Sequence, residues 1–555
     1  MGVGAKKPVN IFKLKDLGEP EGALNWRLWF AVFSFGLLGA ARGIDEGLIS
    51  GAFNSDNFKE SIHYASYDAV DRANIKANVS AMVQIGSVAG ALIAFLICDR
   101  IGRLNATRVL CVTWAVGIMV FMIGGAHGNL GAIYAGRFIA GLGVGQTPVV
   151  GPIYVAEIAP AAIRGLCTCF FTGAVYLGIL LAYFANYGCQ LHISDDSANQ
   201  WLVPTSLHII MSGIIFILSF FQCESPRFLV KQGNVEQAVH NMARLRQQSP
   251  DSEYILREIG MIQAGLDHEL EASRGVGWLG KVKELLLDKS NLYRVYLSSM
   301  VQLLSQWSGA GSITLYAPDL FRILGITGTD ESLLVTAVFG IVKFVAAMIC
   351  ALFLVDVIGR KRALLTGILL QAISMIYVAG FLTAVPRLGV DENFVLPESL
   401  KGASRGAVAM IYISGCGWAL GWNSMQYLLT AELYPLRVRA LATSWAMTLH
   451  FANQYGNSRA VPVMLLDVAQ GGISPKGTFW CFAAVTVLGG FWVWFFVPET
   501  GGRTLESMDR LFDLPWYKIG LYGNRHAEQR DMAVDEKERV AEEEYGRVQQ
   551  IEEKA

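Results

Sequence analysis

Charged residues occur in the same order in the two halves of this chain, each group at the end of a long apolar stretch. Glu157 and Glu224 are separated by 67 residues, and Glu432 and Glu499 are separated by the same 67 residues. An internal repeat of this kind, with apolar stretches between the charges, predicts a duplicated membrane protein. The charged positions are Asp99, Arg103, Glu157, Arg164, Glu224 and Arg227 in the first half, and Asp356, Arg360, Glu432, Arg439, Glu499 and Arg503 in the second.

The composition indicates a chain that lies mainly in lipid. Hydrophobic residues make up 53% of the 555 residues and charged residues only 16%. One soluble core would not use so many apolar residues, and stretches long enough to cross a bilayer recur. The sequence therefore predicts an all-α membrane protein with twelve spanning helices in two sets of six. These cover residues 29–51, 74–97, 107–125, 133–155, 166–187, 204–222, 295–320, 333–355, 364–382, 407–429, 441–466 and 478–497.

Basic residues are concentrated in alternate short loops between the predicted helices. By the positive-inside rule these loops face the cytoplasm, so both termini are predicted to be cytoplasmic. The polar first segment lacks the apolar core of a cleaved signal peptide, so the first spanning helix is expected to act as the targeting signal. The predicted divisions are a cytoplasmic N-terminal segment (1–27), a six-helix bundle (28–222), a cytoplasmic helical linker (223–293), a second six-helix bundle (294–497) and a charged, solvated or disordered cytoplasmic tail (498–555).

The fourth predicted helix carries the most specific motif in the sequence. It reads Arg137-Phe-Ile-Ala-Gly141-Leu-Gly143-Val-Gly145 and is followed by Pro152, Tyr154, Glu157 and Arg164. This arrangement resembles the fourth-helix signature of the sugar porter family in the major facilitator superfamily. Pro498-Glu499-Thr500-Gly-Gly-Arg503 resembles the motif that ends the family's bundle, and the matches extend from about Gly43 to Glu506. The resemblance implies the major facilitator fold in a multi-pass protein of the plasma membrane, monomeric and without a cofactor.

The twelve charged positions of the repeat are expected to act as clasps at the cytoplasmic face. An acidic residue that ends one helix can pair with arginines that start the next, and such pairs can form when one side of a transporter closes. Breaking the pairs would let the two halves move apart. These motifs would serve the conformational cycle and not the choice of substrate.

Charged residues in the middle of the first predicted helix suggest proton coupling. Asp45 matches the position where proton-coupled sugar porters resemble one another in carrying an aspartate and passive ones usually carry asparagine. By that resemblance Asp45 is the proton carrier, Arg137 is its partner and Glu46 is the next candidate. The physical argument agrees. Burial raises the pKa of a carboxylate and a neighbouring cation lowers it, so a buried carboxylate beside a cation can titrate near neutral pH. The alternative is a static ion pair of Arg42 with Asp45 or with Glu46 at helical spacing.

Two cations occupy positions that face a neutral sugar in the family. Arg42 stands where an aromatic side chain is usual, and Lys343 where the glucose carriers hold an asparagine. A carboxylate on the substrate would offset the cost of burying either charge, which favours a sugar acid. Alternatively, Arg42 is paired within the protein and Lys343 extends along its helix. The other candidates for substrate binding are Thr172, Gln306, Tyr427, His450, Asn453 and Gln454.

The sequence as a whole predicts proton-coupled uptake of a sugar or sugar acid, and its general pattern looks similar to that of fungal galacturonate transporters. D-Galacturonate is the first expected substrate. A neutral hexose or pentose, or quinate, is the alternative, and a transporter-like nutrient sensor is a further one. The expected partners are the small-molecule substrate, protons and the lipid bilayer, with no nucleic acid. Neither an enzyme nor a metal site is predicted, because no nucleophile–base pair, phosphate loop or metal-ligand spacing stands out.

Overall fold

The computed structural model of this protein describes residues 23–160, 163–272, 278–326, 328–350, 360–391, 394–423, 425–426, 429, 433–500, 511–512 and 514–522. Most of the predicted N-terminal segment and the tail beyond residue 522 lie outside the described residues. So do four predicted site residues, Asp356, Tyr427, Glu432 and Arg503, and the side chain of Arg164.

Eight helices form the first half of the described chain, and four further helices follow it. The first eight are α1 (Trp26–Ala52), α2 (Asp56–Ser61), α3 (Ala69–Ile101), α4 (Arg103–Ala126), α5 (Leu130–Val144), α6 (Thr147–Ile158), α7 (Arg164–His192) and α8 (Asn199–Leu218). The four that follow are α9 (Pro226–Lys231), α10 (Val235–Arg246), α11 (Glu253–Ala272) and α12 (Trp278–Leu287).

The second half has the same all-helical character in its described residues. Its helices are α13 (Lys289–Trp307), α14 (Ala310–Leu315), α15 (Ala317–Ile323), α16 (Thr329–Ile349), α17 (Arg360–Ala384), α18 (Glu398–Trp418), α19 (Leu436–Met464), α20 (Ser474–Phe496) and α21 (Trp516–Tyr522). A π-helical turn, Ala419–Asn423, continues α18, and two 3-10 turns cover Tyr64–Ser66 and Val468–Gln470.

Nine segments among the described residues are long and apolar enough to cross a membrane: α1, α3, α4, α5 with α6, α7, α8, α16, α17 and α20. The other three predicted spans correspond to α13–α15, to α18 with its π-helical turn, and to α19. Five of the residues predicted to bind substrate fall within these three predicted spans: Gln306, Tyr427, His450, Asn453 and Gln454. Together the segments form the predicted arrangement of six spans followed by six.

The outer surface of the helical bundle is apolar. Large hydrophobic side chains on several spans are more than half exposed, including Ile123, Ile217, Leu369, Leu488 and Phe491. In a soluble protein so many exposed apolar side chains would be unfavourable, whereas in a bilayer they contact lipid.

Polar side chains and one glycine set the ends of the spans in the first half. Asn25, Asp68 and Asn129 each accept hydrogen bonds from backbone amides in the first turn of α1, α3 and α5. These contacts satisfy amides that have no partner inside the helix. Gly102 joins α3 to α4 with φ at 88°, a conformation that residues with a side chain rarely adopt.

Glycines bring α1 against α7 and so position the candidate site on α1. A Cβ atom added at Gly39 would lie 2.2 Å from the carbonyl oxygen of Phe171, and one at Gly43 would lie 1.9 Å from that of Val175. Any larger residue would force the two helices apart. The charged residues 42, 45 and 46 therefore lie on a helix that is packed backbone to backbone with its neighbour.

Two predicted spans are interrupted in the structure. The predicted span 133–155 is divided into α5 and α6, and the predicted span 295–320 is divided into α13, α14 and α15. The first break in the second case follows Trp307, where Gly309 has φ at 87°. Helix breaks of this kind free backbone groups and turn polar side chains towards the bundle centre.

Helix α10, between the two halves, is attached to the first half. Arg246 at the end of α10 is fully buried, forms an ion pair with Glu258 on α11 (Nη2 to Oε1, 2.7 Å) and donates from Nη1 to the carbonyl oxygen of Ile158 at 2.8 Å. The Asn25 amide donates to the carbonyl oxygen of Leu245 at 2.7 Å. These contacts join α10 to the ends of α1 and α6.

Candidate functional site

We call the end of the bundle that contains Arg103 and Glu157 the motif end, and the other end the opposite end. Arg103 binds Glu157 through two hydrogen bonds, Nε to Oε2 at 3.0 Å and Nη2 to Oε1 at 2.8 Å. Asp99 lies 3.3 Å from the same guanidinium and also accepts from Lys231 of α9 at 2.7 Å. The first-half charged motifs thus hold α3, α4, α6 and α9 together.

The two halves repeat one carboxylate contact at the motif end. Glu224 accepts hydrogen bonds from the first two backbone amides of α4, at 3.0 and 3.1 Å. Glu499 accepts from the first two backbone amides of α17, at 2.8 and 3.1 Å. A carboxylate at a helix N-terminus is favourable because it meets both free amides and the positive end of the helix dipole. The sequence repeat is therefore also a repeat of local structure.

The other described charged positions of the motif end make different contacts. The Arg439 guanidinium donates to the carbonyl oxygen of Tyr434 at 3.0 and 2.9 Å, just before the start of α19. Arg227 is exposed on α9, and Arg360 contributes its backbone amide to the Glu499 contact.

A buried ion pair lies near the centre of the first half. Arg137 on α5 donates from Nη1 to Oδ1 of Asp45 on α1 at 2.6 Å, and both side chains are at most 3% exposed. Arg137 also donates from Nε to the carbonyl oxygen of Val79 at 3.1 Å. The predicted partners Asp45 and Arg137 are therefore in direct contact, where lipid and protein exclude water.

A histidine that the sequence analysis did not select lies beside this pair. The Nε2 atom of His208 on α8 is 3.6 Å from Oδ1 of Asp45, and its Nδ1 is 2.9 Å from the carbonyl oxygen of Thr205. Its ring meets the Trp114 ring edge to face, with centroids 5.8 Å apart. A signal was present in the sequence, because His208 is the only titratable residue in α8.

A second polar cluster joins α1 to α19. Arg42 forms an ion pair with Glu46 (Nε to Oε1, 3.3 Å) and donates from Nη2 to Nε2 of His450 at 2.8 Å. Gln454 donates to the same Oε1 atom of Glu46 at 3.1 Å. The Arg42–Glu46 pair that the sequence left as an alternative is present, and the cluster links the two halves of the bundle.

His450 connects this cluster to α13. A guanidinium only donates, so Nε2 of His450 accepts from Arg42 and its Nδ1 carries the hydrogen. This Nδ1 lies 3.1 Å from Oε1 of Gln302, which can accept the hydrogen. The side-chain Nε2 of Gln306 lies 3.2 Å from the same Nδ1. The predicted residues Arg42, Glu46, Gln306, His450 and Gln454 are thus brought into one network.

Lys343 on α16 is the other buried cation at the interface between the halves. Its side chain is 3% exposed, and its Nζ donates to Oγ1 of Thr314 at 2.5 Å. The rings of Tyr176 and Phe339 have their centroids 5.3 Å from the same atom. Within the described chain Lys343 has no ion pair, although Glu46 attracts it from a longer distance. Lys343 does not extend to the membrane surface.

The remaining described candidates lie on helices that flank these clusters. Asn453 on α19 accepts from Trp307 Nε1 at 3.3 Å and donates to the carbonyl oxygen of Leu449 at 2.9 Å. Thr172 on α7 is partly buried.

The halves also meet near the opposite end. Lys76 on α3 forms an ion pair with Asp319 on α15 at 2.7 Å, and Arg459 on α19 donates to Asn74 on α3 at 2.9 Å. These contacts bridge the interface that α3 shares with the second half.

Two six-span halves that repeat their end contacts and enclose buried polar clusters define a membrane transporter. A sequence model of the family described as "Sugar (and other) transporter" matches residues 31–512. The chain is 31% identical over 501 residues to the probable quinate permease of Aspergillus niger, covering 90% of each chain. It is 28% identical over 535 residues to the quinate permease of Neurospora terricola, covering 95% of this chain and 97% of that one.

Solved structures agree with the fold. The proton:xylose symporter XylE bound to 6-bromo-6-deoxy-D-glucose superposes with a TM-score of 0.71 at 23% identity, covering 87% of this chain and 99% of that one. A partially occluded inward-open form of XylE from E. coli gives a TM-score of 0.69 at 22% identity, covering 86% and 100%. This chain belongs to the sugar porter family of the major facilitator superfamily, and it is a transporter and not an enzyme.

Proposed function

We propose that this protein takes up a cyclic polyhydroxy monocarboxylate together with a proton, across the plasma membrane and by alternating access to a central site. The observation that supports it most is Lys343, a cation buried at the interface of the halves and without a carboxylate at ion-pair distance among the described residues. Burying an uncompensated ammonium is costly, and a carboxylate on the substrate offsets that cost.

Quinate is the first candidate substrate. It and D-galacturonate each have a six-membered ring, several hydroxyl groups and one carboxylate, so both fit a site with one cation and several hydrogen-bonding side chains. The quinate permeases described above are named for quinate and not for galacturonate, and this supports quinate as the first candidate and galacturonate as the second. A neutral hexose or pentose would leave the charge of Lys343 uncompensated.

The other predicted polar side chains would bind the ring hydroxyls. Gln306, Asn453 and Gln454 carry amides that both donate and accept, as hydroxyl recognition requires. Thr172, Tyr427 and His450 complete this proposed set. Arg42 is a second candidate for the carboxylate, but its guanidinium already contacts Glu46 and His450, so the substrate would have to displace one of them.

Asp45 is the proposed proton carrier and Arg137 its partner. Protonation of Asp45 would cancel the ion pair with Arg137 and release α1 from α5. A change of packing between helices can then couple the proton to the movement of the halves. Glu46 is the second candidate, because it is paired with Arg42 in the neighbouring cluster.

The motif-end contacts would set the balance between the conformations. Arg103, Glu157, Glu224 and Glu499 hold the cytoplasmic ends of helices in each half, and the transport cycle would rearrange them. The other eight predicted clasp residues would act with them: Asp99, Arg164, Arg227, Asp356, Arg360, Glu432, Arg439 and Arg503.

Substrate competition tests this proposal. In a host cell that lacks its own carriers, labelled quinate is expected to enter at acidic external pH. Unlabelled quinate and then galacturonate should compete most strongly, while glucose and xylose compete weakly, because only the first two bring a carboxylate to Lys343. Higher kcat/KM for glucose or xylose than for both acids would contradict the proposal.

The orientation of the bundle can be tested by glycosylation. Asn105, in the sequon Asn105-Ala-Thr107, lies at the motif end, which we propose to be cytoplasmic, so it should carry no glycan. As a control, Val395→Thr completes a sequon that starts with Asn393-Phe394 in the sequence. Val395 lies at the opposite end and is 84% exposed. A glycosidase-sensitive mobility shift is expected only for the control variant. A shift in the unmodified chain that Asn105→Gln removes would reverse the orientation.

A further inference from the structure

The hydrogen-bonding state of His208 is determined by its surroundings. Its Nδ1 lies 2.9 Å from the carbonyl oxygen of Thr205. A carbonyl oxygen only accepts, so Nδ1 must carry a hydrogen. A neutral imidazole has one hydrogen, which leaves a lone pair on Nε2. In this state His208 presents an acceptor, and not a donor, on the side that faces Asp45.

The acceptor of His208 faces an acceptor of Asp45. Nε2 is 3.6 Å from Oδ1, it is buried, and it has no hydrogen-bond partner among the described residues. Two lone pairs that face each other between buried side chains repel, and a buried polar atom without a partner is unfavourable. One proton placed between the two atoms removes both problems. The space between His208 and Asp45 is therefore built to hold a proton.

The groups around His208 leave Asp45 as its only acidic neighbour within the described contacts. From α1 it faces Asp45, and Arg137 on α5 reaches the same Oδ1 atom at 2.6 Å. From α4 it meets the uncharged Trp114 ring. Helix α7 also packs on α8. The basic residues of α7, Arg164 and His192, are its first and last residues.

We propose that His208 is the second proton-binding residue of the coupling site and exchanges the transported proton with Asp45. This inference rests on the proposed proton coupling. While Asp45 pairs with Arg137, the proton is on Nε2 of His208, beside a carboxylate that Arg137 stabilises. When the ion pair opens, the carboxylate loses that stabilisation and takes the proton.

The transfer is balanced in atoms and charge. The Nε2–H bond breaks and an Oδ1–H bond forms. The imidazolium becomes a neutral imidazole and the carboxylate becomes a neutral acid, so the site made of Arg137, Asp45 and His208 keeps a net charge of one positive unit. The proton enters from water on one side of the membrane and leaves to water on the other.

Two substitutions of His208 test the proposal. His208→Asn keeps a donor for the carbonyl oxygen of Thr205 and removes the group that faces Asp45, whereas His208→Gln places a non-titrating amide near the position of Nε2. His192→Gln, at the exposed end of α7, is the matched control. Initial uptake of labelled quinate is measured from pH 5 to pH 8, with exchange of quinate between equal internal and external concentrations measured on the same cells.

Both His208 variants should move the pH of half-maximal uptake towards acid. Asp45 alone, beside Arg137, holds a proton less readily than the pair, so the shift should be about one pH unit, or about tenfold slower uptake near neutral pH with recovery in acid. Exchange should persist, because it needs no net movement of protons. The His192→Gln control should match the unmodified protein.

The results that would contradict the role of His208 differ from those that would contradict proton coupling. A pH profile identical to that of the unmodified protein in either His208 variant would overturn the role of His208, and so would the loss of exchange at every pH, which would mark a packing role. Failure of the proton coupling itself would be seen differently, as uptake by the unmodified protein that does not depend on external pH.

Discussion

Asp45→Asn is expected to abolish accumulation of substrate against its gradient while leaving entry down the gradient. The substitution keeps the size of the side chain and an oxygen that can accept from Arg137, but it removes the group that binds the proton. Without the Asp45 carboxylate the proton cannot pass through the coupling site and the driving force of external acid cannot be used, so the internal concentration should stop at the external one. Time courses of labelled quinate at pH 5, in protein shown to reach the membrane, measure this directly.

Two further variants make this result specific. Glu46→Gln changes the neighbouring carboxylate, which contacts Arg42 and Gln454, and should retain accumulation. Asp251→Asn, an exposed position between α10 and α11, is the matched control for the chemical change. If Asp45→Asn still accumulates substrate and Glu46→Gln does not, Glu46 is the proton carrier instead.

Lys343→Asn is expected to have the largest effect on the choice of substrate. Loss of a charged hydrogen bond to a carboxylate should weaken binding by about 1.5–3 kcal/mol, or about ten- to a hundredfold in KM. The asparagine still donates and accepts hydrogen bonds, so any uptake of a neutral sugar should change little. KM values for quinate, galacturonate and xylose measured in parallel give the comparison.

A lysine outside the site supplies the control for this variant. Lys401→Asn makes the same chemical change at a half-exposed position that pairs with Glu398 at the start of α18. Arg42→Phe tests the second candidate cation, although it also removes the partner of Glu46. Unchanged KM for both acids in Lys343→Asn and in Arg42→Phe would show that these cations are fixed parts of the bundle.

The sequence predicted the features that depend on buried charge or on spacing along the chain. Charges inside apolar segments are rare and need partners, and the resemblance to proton-coupled sugar porters implied that Asp45 pairs with Arg137. The repeat of Glu224 and Glu499 could likewise be read from spacing, because each follows the same number of residues after its preceding glutamate. Hydrophobic length and the internal repeat together predicted the number of spans, and the resemblance of the charged motifs to those of sugar porters implied the fold.

Features that depend on contacts between distant helices could not be predicted in this way. The role of His208 depends on the 3.6 Å distance from α8 to α1, which no spacing in the sequence encodes. The break after Trp307 depends on Gly309, and a glycine in an apolar run is equally compatible with a continuous helix. Arg42 and His450 are 408 positions apart in the sequence. Only the packed structure could therefore show that Arg42 has partners within the protein, which the sequence left as an alternative to binding substrate.

Proton movement during uptake is the most direct test of proton-coupled carboxylate transport by this protein. Purified protein in liposomes, in weakly buffered medium of pH 6 on both sides, receives the neutralised sodium salt of quinate, and the external pH is recorded. We expect a rise in external pH, because each carboxylate enters with a proton, and no rise with liposomes that contain the Asp45→Asn variant. Quinate uptake with no change in external pH, or a rise with xylose as large as that with quinate, would contradict the assignment of this protein as a proton-coupled carrier of a cyclic carboxylate.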